Sequence, residues 1–182
     1  VGAHKGSIID LILNIERKSI IFAIEPFEKY YEFLKKKYLH KKNIFIKKIA
    51  ISNKKKKTFL YFNNKKIDKE AFSLLKNNRL IKKQKIESET IDEILKNKKI
   101  AVIKIDVEGN EINVLKGSRN IIQKQRPILF IESTNLTFEW ILKYLKNKNY
   151  ITHIYEYNFF KKNLKHSWVK NNVSTNDAFL MR

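Results

Sequence analysis

This chain of 182 residues has no cysteine, four glycines, two prolines, and no apolar run of the roughly 20 residues that span a membrane as a helix. The absence of cysteine excludes disulfides, thiol nucleophiles and thiolate metal sites. It also fits a reducing compartment, so we expect a cytoplasmic protein. Because 43% of the residues are hydrophobic, the chain can bury one good core. We expect residues 1–182 to form a single domain.

Arginine is scarce as well, although the formal net charge is +21. Arginine is the residue preferred for bidentate recognition of phosphates and bases, so a positive charge made mostly of lysine argues against a nucleic-acid partner. The accompanying excess of Asn and Ile is what an AT-rich genome would produce. Two interpretations of the charge stay open, compositional drift and attraction to an anionic partner.

The few glycines and prolines lie next to apolar runs. Glycine is needed where the backbone takes positive φ or approaches another group closely. These residues therefore mark the ends of predicted strands, which is where α/β proteins bind ligands. They are Gly2 and Gly6 in V-G-A-H-K-G, Gly109 and Gly117 in D-V-E-G-N-E-I-N-V-L-K-G, Pro26 and Pro127.

Apolar runs alternate with segments of helical period, which predicts a Rossmann-like, doubly wound α/β fold around a mostly parallel, seven-stranded sheet. Residues 58–62 are expected to form a hairpin beside the third strand, and residues 63–84 are the least patterned. A capping box at Thr90–Glu93 predicts a short helix. The expected strands are residues 1–3, 19–24, 43–49, 100–106, 128–132, 150–156 and 177–182. The other expected helices are residues 7–16, 27–38, 110–117 (ended by a left-handed Gly117) and 137–147.

The first expected strand is unusually short. A strand of three residues does not hold its place in a parallel sheet, where about five or six are usual. The sequence also starts with Val1 rather than Met. We therefore expect the front of the first strand to be missing from this chain.

The loop V-G-A-H-K-G follows a strand and opens a helix, so its backbone N–H groups can face a polar ligand. Its two glycines do not have the spacing of the dinucleotide motif G-x-G-x-x-G. Glu25 ends the next strand, the position from which a carboxylate binds ribose hydroxyls in this architecture. Together they indicate an adenosine-containing ligand. The alternative is a tight turn at Gly2 and Gly6, with Glu25 capping the following helix.

The segment I-K-I-D-V-E-G-N-E places charged residues at the end of a central strand. Side chains alternate along a strand, so Lys104 and Asp106 share a face. A lysine at such a place is costly unless its charge is paired. We expect an ion pair and a site; the alternative is helix capping by Asp106 and Glu108 beside a structural Lys104. Further residues of this edge are Glu108, Gly109, Glu111 and Glu132. The four histidines have no metal-ligand spacing, and we expect no metal.

Six segments, in order, resemble the FkbM-type S-adenosylmethionine-dependent methyltransferases. They are V-G-A-H-K-G, I-E-P-F-E-K-Y-Y-E-F-L, A-I-S-N, T-I-D-E-I-L, I-K-I-D-V-E-G-N-E-I-N-V-L-K-G and L-F-I-E-S. The resemblance extends from Val1 to about Ser133. It implies the class I methyltransferase fold, S-adenosyl-L-methionine as the cofactor, and O-methylation of sugars or other small hydroxyl-bearing metabolites.

The resemblance also implies roles for individual residues. The cofactor would be bound by the glycine loop, by Glu25 with Pro26 at the ribose, and by a segment near the adenine. Asp106 or Glu108 would be the base that deprotonates the acceptor, with His4 as an alternative. Asp106 would also lie near the sulfonium. The remaining cofactor residues would be Gly2, Ala3, His4 and Gly6 in the loop, and Ala50 and Ser52 near the adenine.

Two rival functions stay open from the sequence. A non-catalytic basic module that binds an anionic polymer or a membrane surface would explain the net charge directly. It would leave the positions of the glycines and of Lys104 unexplained. An RNA methyltransferase would combine both interpretations.

Overall fold

The computed structural model describes residues 1–62, 72–74, 82–158, 163–169 and 177–181. The helices of this part are α1 (Ser7–Ile15), α2 (Glu28–Lys37), α3 (Ile91–Ile94), α4 (Glu111–Lys116), α5 (Arg119–Gln125) and α6 (Phe138–Asn147). The strands are β1 (Ile21–Ile24), β2 (Ile44–Lys47), β3 (Ala50–Ile51), β4 (Lys56–Phe62), β5 (Phe72–Ser73), β6 (Lys82–Glu89), β7 (Val102–Ile105), β8 (Ile128–Glu132), β9 (Ile151–Asn158), β10 (Asn163–Val169) and β11 (Asp177–Met181).

The strands form three sheets. Strands β1 and β2 pair in parallel, and a five-stranded sheet has the order β10–β9–β11–β8–β7. Within the latter, β7, β8, β11 and β9 run parallel, and β10 is antiparallel to β9. The third sheet has the order β3–β6–β4–β5 and is largely antiparallel. The fold is therefore α/β with mixed sheets.

Val1 and Gly2 connect the two-stranded sheet to the five-stranded sheet. The Val1 amino group donates to Lys104 O at 2.7 Å, and the Asp106 amide donates to Val1 O at 3.3 Å. On the opposite side, the Gly2 amide donates to Ile24 O at 3.0 Å. The sequence predicts that residues 1–3 end the first strand, but the structure forms no strand there; Val1 and Gly2 instead bridge β1 and β7 by these hydrogen bonds.

Helices pack on both faces of β1. Ala23 packs with Ile9 of α1 and Leu34 of α2, whereas its neighbour Ile24 packs in a cluster with residues of α3 to α6. Successive residues of a strand point to opposite faces, so β1 contributes to two cores. The predicted short helix and its Thr90 cap are confirmed, because Thr90 Oγ1 accepts a hydrogen bond from the Glu93 amide at 3.2 Å. The reciprocal bond of a capping box is replaced, because the Thr90 amide donates to Glu89 Oε1 at 2.9 Å.

The expected hairpin beside the third strand is wrong. Strand β4 pairs antiparallel with β6 along its length, from Lys56↔Ser88 to Phe62↔Lys82. Strand β6 in turn pairs parallel with β3. We call these strands, with β5, the inserted sheet. Its buried residues Ala50, Leu60 and Ile86 form a small core of their own. The weakly patterned residues 63–84 lie mostly outside the described part, except for β5, Leu74 and the start of β6.

Gly117 does not end α4 in a left-handed conformation as expected. Its φ is −79° and its ψ is 0°, and α5 starts two residues later at Arg119. The structure requires glycine there for another reason: a Cβ on Gly117 would lie 2.1 Å from Ser52 O. The residue allows α4 to approach the backbone after β3 closely. The sequence did not predict α5 or β10.

One face of β7 and β8 is largely uncovered by the described residues. The exposed fractions of Val102, Ile128 and Phe130 are 50%, 38% and 39%. The opposite face carries Ile103, Ile105 and Leu129, which are buried. The apolar residues of β7 and β8 are therefore buried on one face of these strands and partly exposed on the other. Within the described residues, no helix is long and apolar enough to cross a membrane.

Candidate active site

A cavity of about 460 Å³ lies at the carboxyl ends of β1 and β7, on both sides of Val1 and Gly2. This is the crevice where open α/β sheets bind ligands, and its volume lies within the usual range of ligand sites. The cavity is lined by Val1, Gly2, Ala3, His4, Lys5, Ser7, Ile8, Glu25, Pro26, Ile49, Ala50, Ile51, Leu60, Ser73, Leu74, Lys104, Asp106, Val107, Glu108 and Asn110.

The glycine loop is held by contacts that leave no room for side chains at its two glycines. Gly2 has φ +74°, and a Cβ there would lie 1.8 Å from Asp106 O. Gly6 has φ +82°, and a Cβ there would lie 2.5 Å from the Tyr38 hydroxyl. That hydroxyl donates to Asp10 at 2.7 Å, next to Gly6 O at 2.9 Å. The two glycines therefore fit the loop against β7 and α2.

His4 lies in the same loop and lines the cavity. Its φ is +47°, an uncommon conformation for a residue other than glycine. The imidazole packs edge-on against Tyr30, with ring centroids 4.1 Å apart. Its backbone amide donates to Glu25 Oε2 at 2.7 Å. The contact with Glu25 therefore fixes the backbone of a strained residue beside the cavity.

Glu25 holds the backbone at the start of α2, which is the alternative role that the sequence left open for it. It is 5% exposed, and its Oε1 accepts a hydrogen bond from the Phe27 amide at 2.9 Å, at the start of α2. Burial raises the pKa of this carboxyl, although the two amides oppose the shift. A carboxylate has about four acceptor sites on its two oxygens. Glu25 can therefore hold the loop and α2 and still accept hydrogen bonds from a ligand.

Lys104 forms the ion pair that strand alternation predicts. Its Nζ lies 2.5 Å from Asp106 Oδ2, and the two side chains are 24% and 30% exposed. Both residues line the cavity. Because one oxygen of Asp106 is held by the ammonium, this carboxylate is less available as a base than an unpaired one.

Lys104→Met should destabilise the protein by about 1–2 kcal/mol, less than the loss of a fully buried ion pair, because water screens part of the interaction. The change keeps most of the stem's volume and leaves Asp106 uncompensated. Urea denaturation measures the loss. The double variant Lys104→Met/Asp106→Asn should recover part of the lost stability. A stability loss in the double variant equal to the sum of the two single losses would contradict the pairing.

The turn after β7 presents Glu108 to the cavity. Glu108 has φ +51° and Gly109 has φ +99°, so two successive residues are left-handed. The Gly109 amide donates to Glu111 Oε1 at 2.8 Å, and the Ser73 hydroxyl donates to Glu108 O at 3.0 Å. Glu111 is 2% exposed, and its Oε2 accepts no hydrogen bond from any described residue. The turn is thus stabilised from α4 and from the inserted sheet.

Glu132 is a further acidic residue close to Asp106. The register Ile105↔Ile131 places Asp106 and Glu132 at equivalent positions after neighbouring strands. Partial burial, followed by the charge of Asp106, raises the pKa of both Glu132 and Glu108. Lys104 acts on both in the opposite direction. The cavity edge is therefore rich in carboxylates with one nearby ammonium.

Most of the site residues that the sequence singles out meet at this cavity. Five of the predicted site residues do not line it: Gly6, Ser52, Gly109, Glu111 and Glu132. Several lining residues were missed. Leu60 could have been recognised from the alternation in T-F-L-Y-F, but nothing in the sequence around Ser73 and Leu74 indicates a site. Further missed residues are Val1, Lys5, Ser7, Ile8, Ile49, Val107 and Asn110, whereas Ile51 lies in the segment predicted to flank the adenine.

The residues present fit an adenosine-containing sulfonium cofactor. Glu25, Asp106 and Glu108 line the cavity, and their carboxylates suit hydroxyl groups and a positive charge. Ile51 and Leu60 also line it, and their aliphatic side chains suit a flat base. Among the described residues, no group of His, Asp and Glu side chains could hold a metal ion.

Parallel strands with helices on both faces of β1, and a cavity at the carboxyl ends of β1 and β7, define a Rossmann-like α/β protein and are consistent with the class I methyltransferase fold. The family model of the methyltransferase FkbM domain matches residues 1–152. The chain therefore belongs to the FkbM methyltransferase domain family, which confirms the resemblance read from the sequence.

A solved structure supports the fold. The chain is similar to the methyltransferase FkbM from Methylobacillus flagellatus KT, with a TM-score of 0.56 and 20% sequence identity. The similarity covers 78% of this chain and 35% of the Methylobacillus chain, so this chain spans about a third of that protein. At this identity the likeness shows the shared fold alone. No curated protein matches this chain significantly.

Proposed function

We propose that this chain is an S-adenosylmethionine-dependent methyltransferase domain that O-methylates a sugar or another small hydroxyl-bearing metabolite. The observation that carries the proposal is the convergence of the glycine loop, Glu25 and the Asp106–Glu108 segment on one cavity. Family membership supports methyl transfer as the reaction. The acid-rich edge suits a cationic cofactor and a neutral hydroxyl acceptor.

The chain's own residues have two tasks in this reaction, to orient the reactants and to accept a proton. S-adenosylmethionine supplies, when bound, a methyl group on a sulfonium that is already a strong electrophile. Glu25 and the loop amides bind and orient the polar groups. Glu108 takes the proton of the acceptor hydroxyl as the oxygen gains the methyl group. Glu108 is favoured over Asp106 because Lys104 holds the Asp106 carboxylate.

Calorimetry with S-adenosylmethionine and S-adenosylhomocysteine tests the proposal. We expect saturable binding of both, with a dissociation constant in the range of about 1 μM to 1 mM that enzymes show for their substrates. A panel of hexoses, hexosamines and RNA then tests the acceptor, by transfer of a labelled methyl group. If neither molecule binds at about millimolar concentration, the proposal is wrong. If methyl transfer is seen to RNA alone, the acceptor is RNA and not a small metabolite.

Glu25→Gln should weaken cofactor binding by about 1.5–3 kcal/mol, the range for hydrogen bonds to a charged group. The amide keeps the volume of the side chain, but one of its two polar atoms can no longer accept a hydrogen bond. Because Glu25 also holds the amides of His4 and Phe27, some loss of stability is expected too. Glu28→Gln is the matched control: it removes the same charge from an exposed residue of α2 that pairs with Lys48. A normal affinity in Glu25→Gln would leave Glu25 as a helix cap only.

The same variant should change the pH dependence of stability. The pKa of Glu25 is raised in the folded protein, so folding favours the protonated carboxyl. Its contribution to stability is fully present below the unfolded pKa of about 4.3 and is lost as the pH rises through the raised folded value. Glu25→Gln should remove this loss, whereas Glu28→Gln should keep it. Urea denaturation across the acidic range measures both.

A further inference from the structure

The inserted sheet forms one wall of the cavity. Leu60 of β4, Ser73 of β5 and Leu74 line it together with residues of the glycine loop and of the turn after β7. The sheet joins the main core through Ile51 of β3, whereas β5 lies at its other edge, so the position of β5 depends on further contacts. One such contact reaches the candidate base directly, from the Ser73 hydroxyl to Glu108 O at 3.0 Å.

The turn that carries Glu108 needs such contacts. A left-handed conformation costs about 1–2 kcal/mol for a residue with a Cβ, and Glu108 adopts it at φ +51°. Two hydrogen bonds from outside the turn's own backbone act on it. Glu111 accepts from the Gly109 amide, and Ser73 donates to the carbonyl of Glu108 itself. Ser73 is 6% exposed, so its hydroxyl cannot easily exchange this partner for water.

We propose that Ser73 is a positioning residue for the reaction: its hydroxyl fixes the left-handed Glu108 so that the carboxylate faces the acceptor side of the cavity. This rests on the proposed function, in which Glu108 is the base. A hydrogen bond to Glu108 O fixes the orientation of that peptide, and with it the direction of the Cα–Cβ bond. The same β5 segment supplies Leu74 to the wall, so base and wall keep a fixed distance.

The charges around Glu108 provide a readout of its position. Asp106 and Lys104 face it from the end of β7, Glu132 from the end of β8, and Glu111 from α4. The residues of the inserted sheet that line the cavity carry no charge; they are Ala50, Ile51, Leu60, Ser73 and the adjoining Leu74. His4 lines the cavity from the glycine loop. If Glu108 turns away from the cavity, its carboxyl moves away from the neighbouring carboxylates and becomes more exposed to water. Its pKa then moves down towards the ordinary value.

The test is a carboxyl ¹³C NMR titration of glutamate-labelled protein, with the Glu108 signal assigned by its loss in Glu108→Gln. We expect a lower Glu108 pKa in Ser73→Ala and in Ser73→Cys, which removes the strong donor at nearly constant volume. Ser73→Thr keeps the hydroxyl and should restore the parent value. Ser88→Ala is the control, because Ser88 is fully buried in the same sheet and its hydroxyl bonds Lys54 O and Lys56 O, away from the turn. It should lose stability and leave the Glu108 pKa unchanged.

Turnover gives a second readout. With the acceptor found in the methyl-transfer panel, Ser73→Ala should lose up to about 100-fold in kcat at a nearly unchanged KM for the cofactor, as expected for a misplaced catalytic group. An unchanged Glu108 pKa in Ser73→Cys, or a Ser73→Thr variant that behaves like Ser73→Ala, would overturn the proposal. Failure of the proposed function is seen separately, as absence of cofactor binding by the parent protein in calorimetry.

Discussion

Gly117→Ala is expected to destabilise the protein by about 3 kcal/mol or more, the upper range for overpacking of a buried site. The residue has helical φ and ψ, so its backbone conformation alone would make alanine more stable than glycine by up to about 1 kcal/mol. The added Cβ would, however, lie 2.1 Å from Ser52 O and 3.1 Å from Ser52 C. Contact with backbone atoms at these distances outweighs the gain in helix propensity, and the net effect changes sign.

The surroundings of Gly117 leave little room for relief. The Ser52 amide donates to Glu89 O at 2.9 Å, and Gly117 O accepts from the Asp92 amide at 3.0 Å. Moving either backbone would break a hydrogen bond, the first between the ends of β3 and β6 and the second between α3 and the end of α4. The midpoint of urea denaturation should fall with little change in its slope.

Gln123→Ala serves as the control for Gly117→Ala. Gln123 is an exposed residue of α5, so its replacement should change stability by no more than about 0.5 kcal/mol. A Gly117→Ala protein as stable as the parent would mean that α4 and the segment after β3 are farther apart than described.

The segments with regular patterns were predictable from the sequence, and the reason is physical. Residues 7–16 and 137–147 repeat apolar residues at helical spacing, and each contains a helix close to the predicted bounds. The Lys104–Asp106 pair followed from strand alternation and from the cost of an unpaired charge. In these places a local rule and the packing of the whole molecule favour the same structure.

The inserted sheet was not predictable in the same way. Its strand β6 has the sequence K-K-Q-K-I-E-S-E, in which Ile86 is the one aliphatic residue, so alternation is weak. Its pairing with β3 and β4 depends on long-range packing, which the local sequence of β6 does not indicate. Gly117 illustrates the same limit, because its close neighbour Ser52 is distant in sequence. The sequence predicted a left-handed residue at Gly117, whereas the structure requires glycine there because of a contact distant in sequence.

Glu108→Gln is expected to lower kcat for methyl transfer by about 10²- to 10⁴-fold, the usual contribution of a general base. Glutamine has nearly the same shape but cannot take the proton of the acceptor hydroxyl. The left-handed turn should persist, because Ser73 and Glu111 hold backbone groups rather than the Glu108 carboxylate. Cofactor affinity measured by calorimetry should therefore stay close to that of the parent.

The pH dependence of turnover distinguishes a base from a group that only binds the acceptor. Partial burial and the charge of Asp106 raise the pKa of Glu108, and only the deprotonated carboxylate can accept a proton. Activity should therefore rise with pH through this raised value, and the rise should disappear in Glu108→Gln. Asp106→Asn is the matched comparison; Lys104 already holds that carboxylate, so the rise with pH should survive there even if turnover falls. If Glu108→Gln keeps the parent's rate and pH profile and Asp106→Asn loses both, Asp106 is the base and the ion pair with Lys104 must open during the reaction.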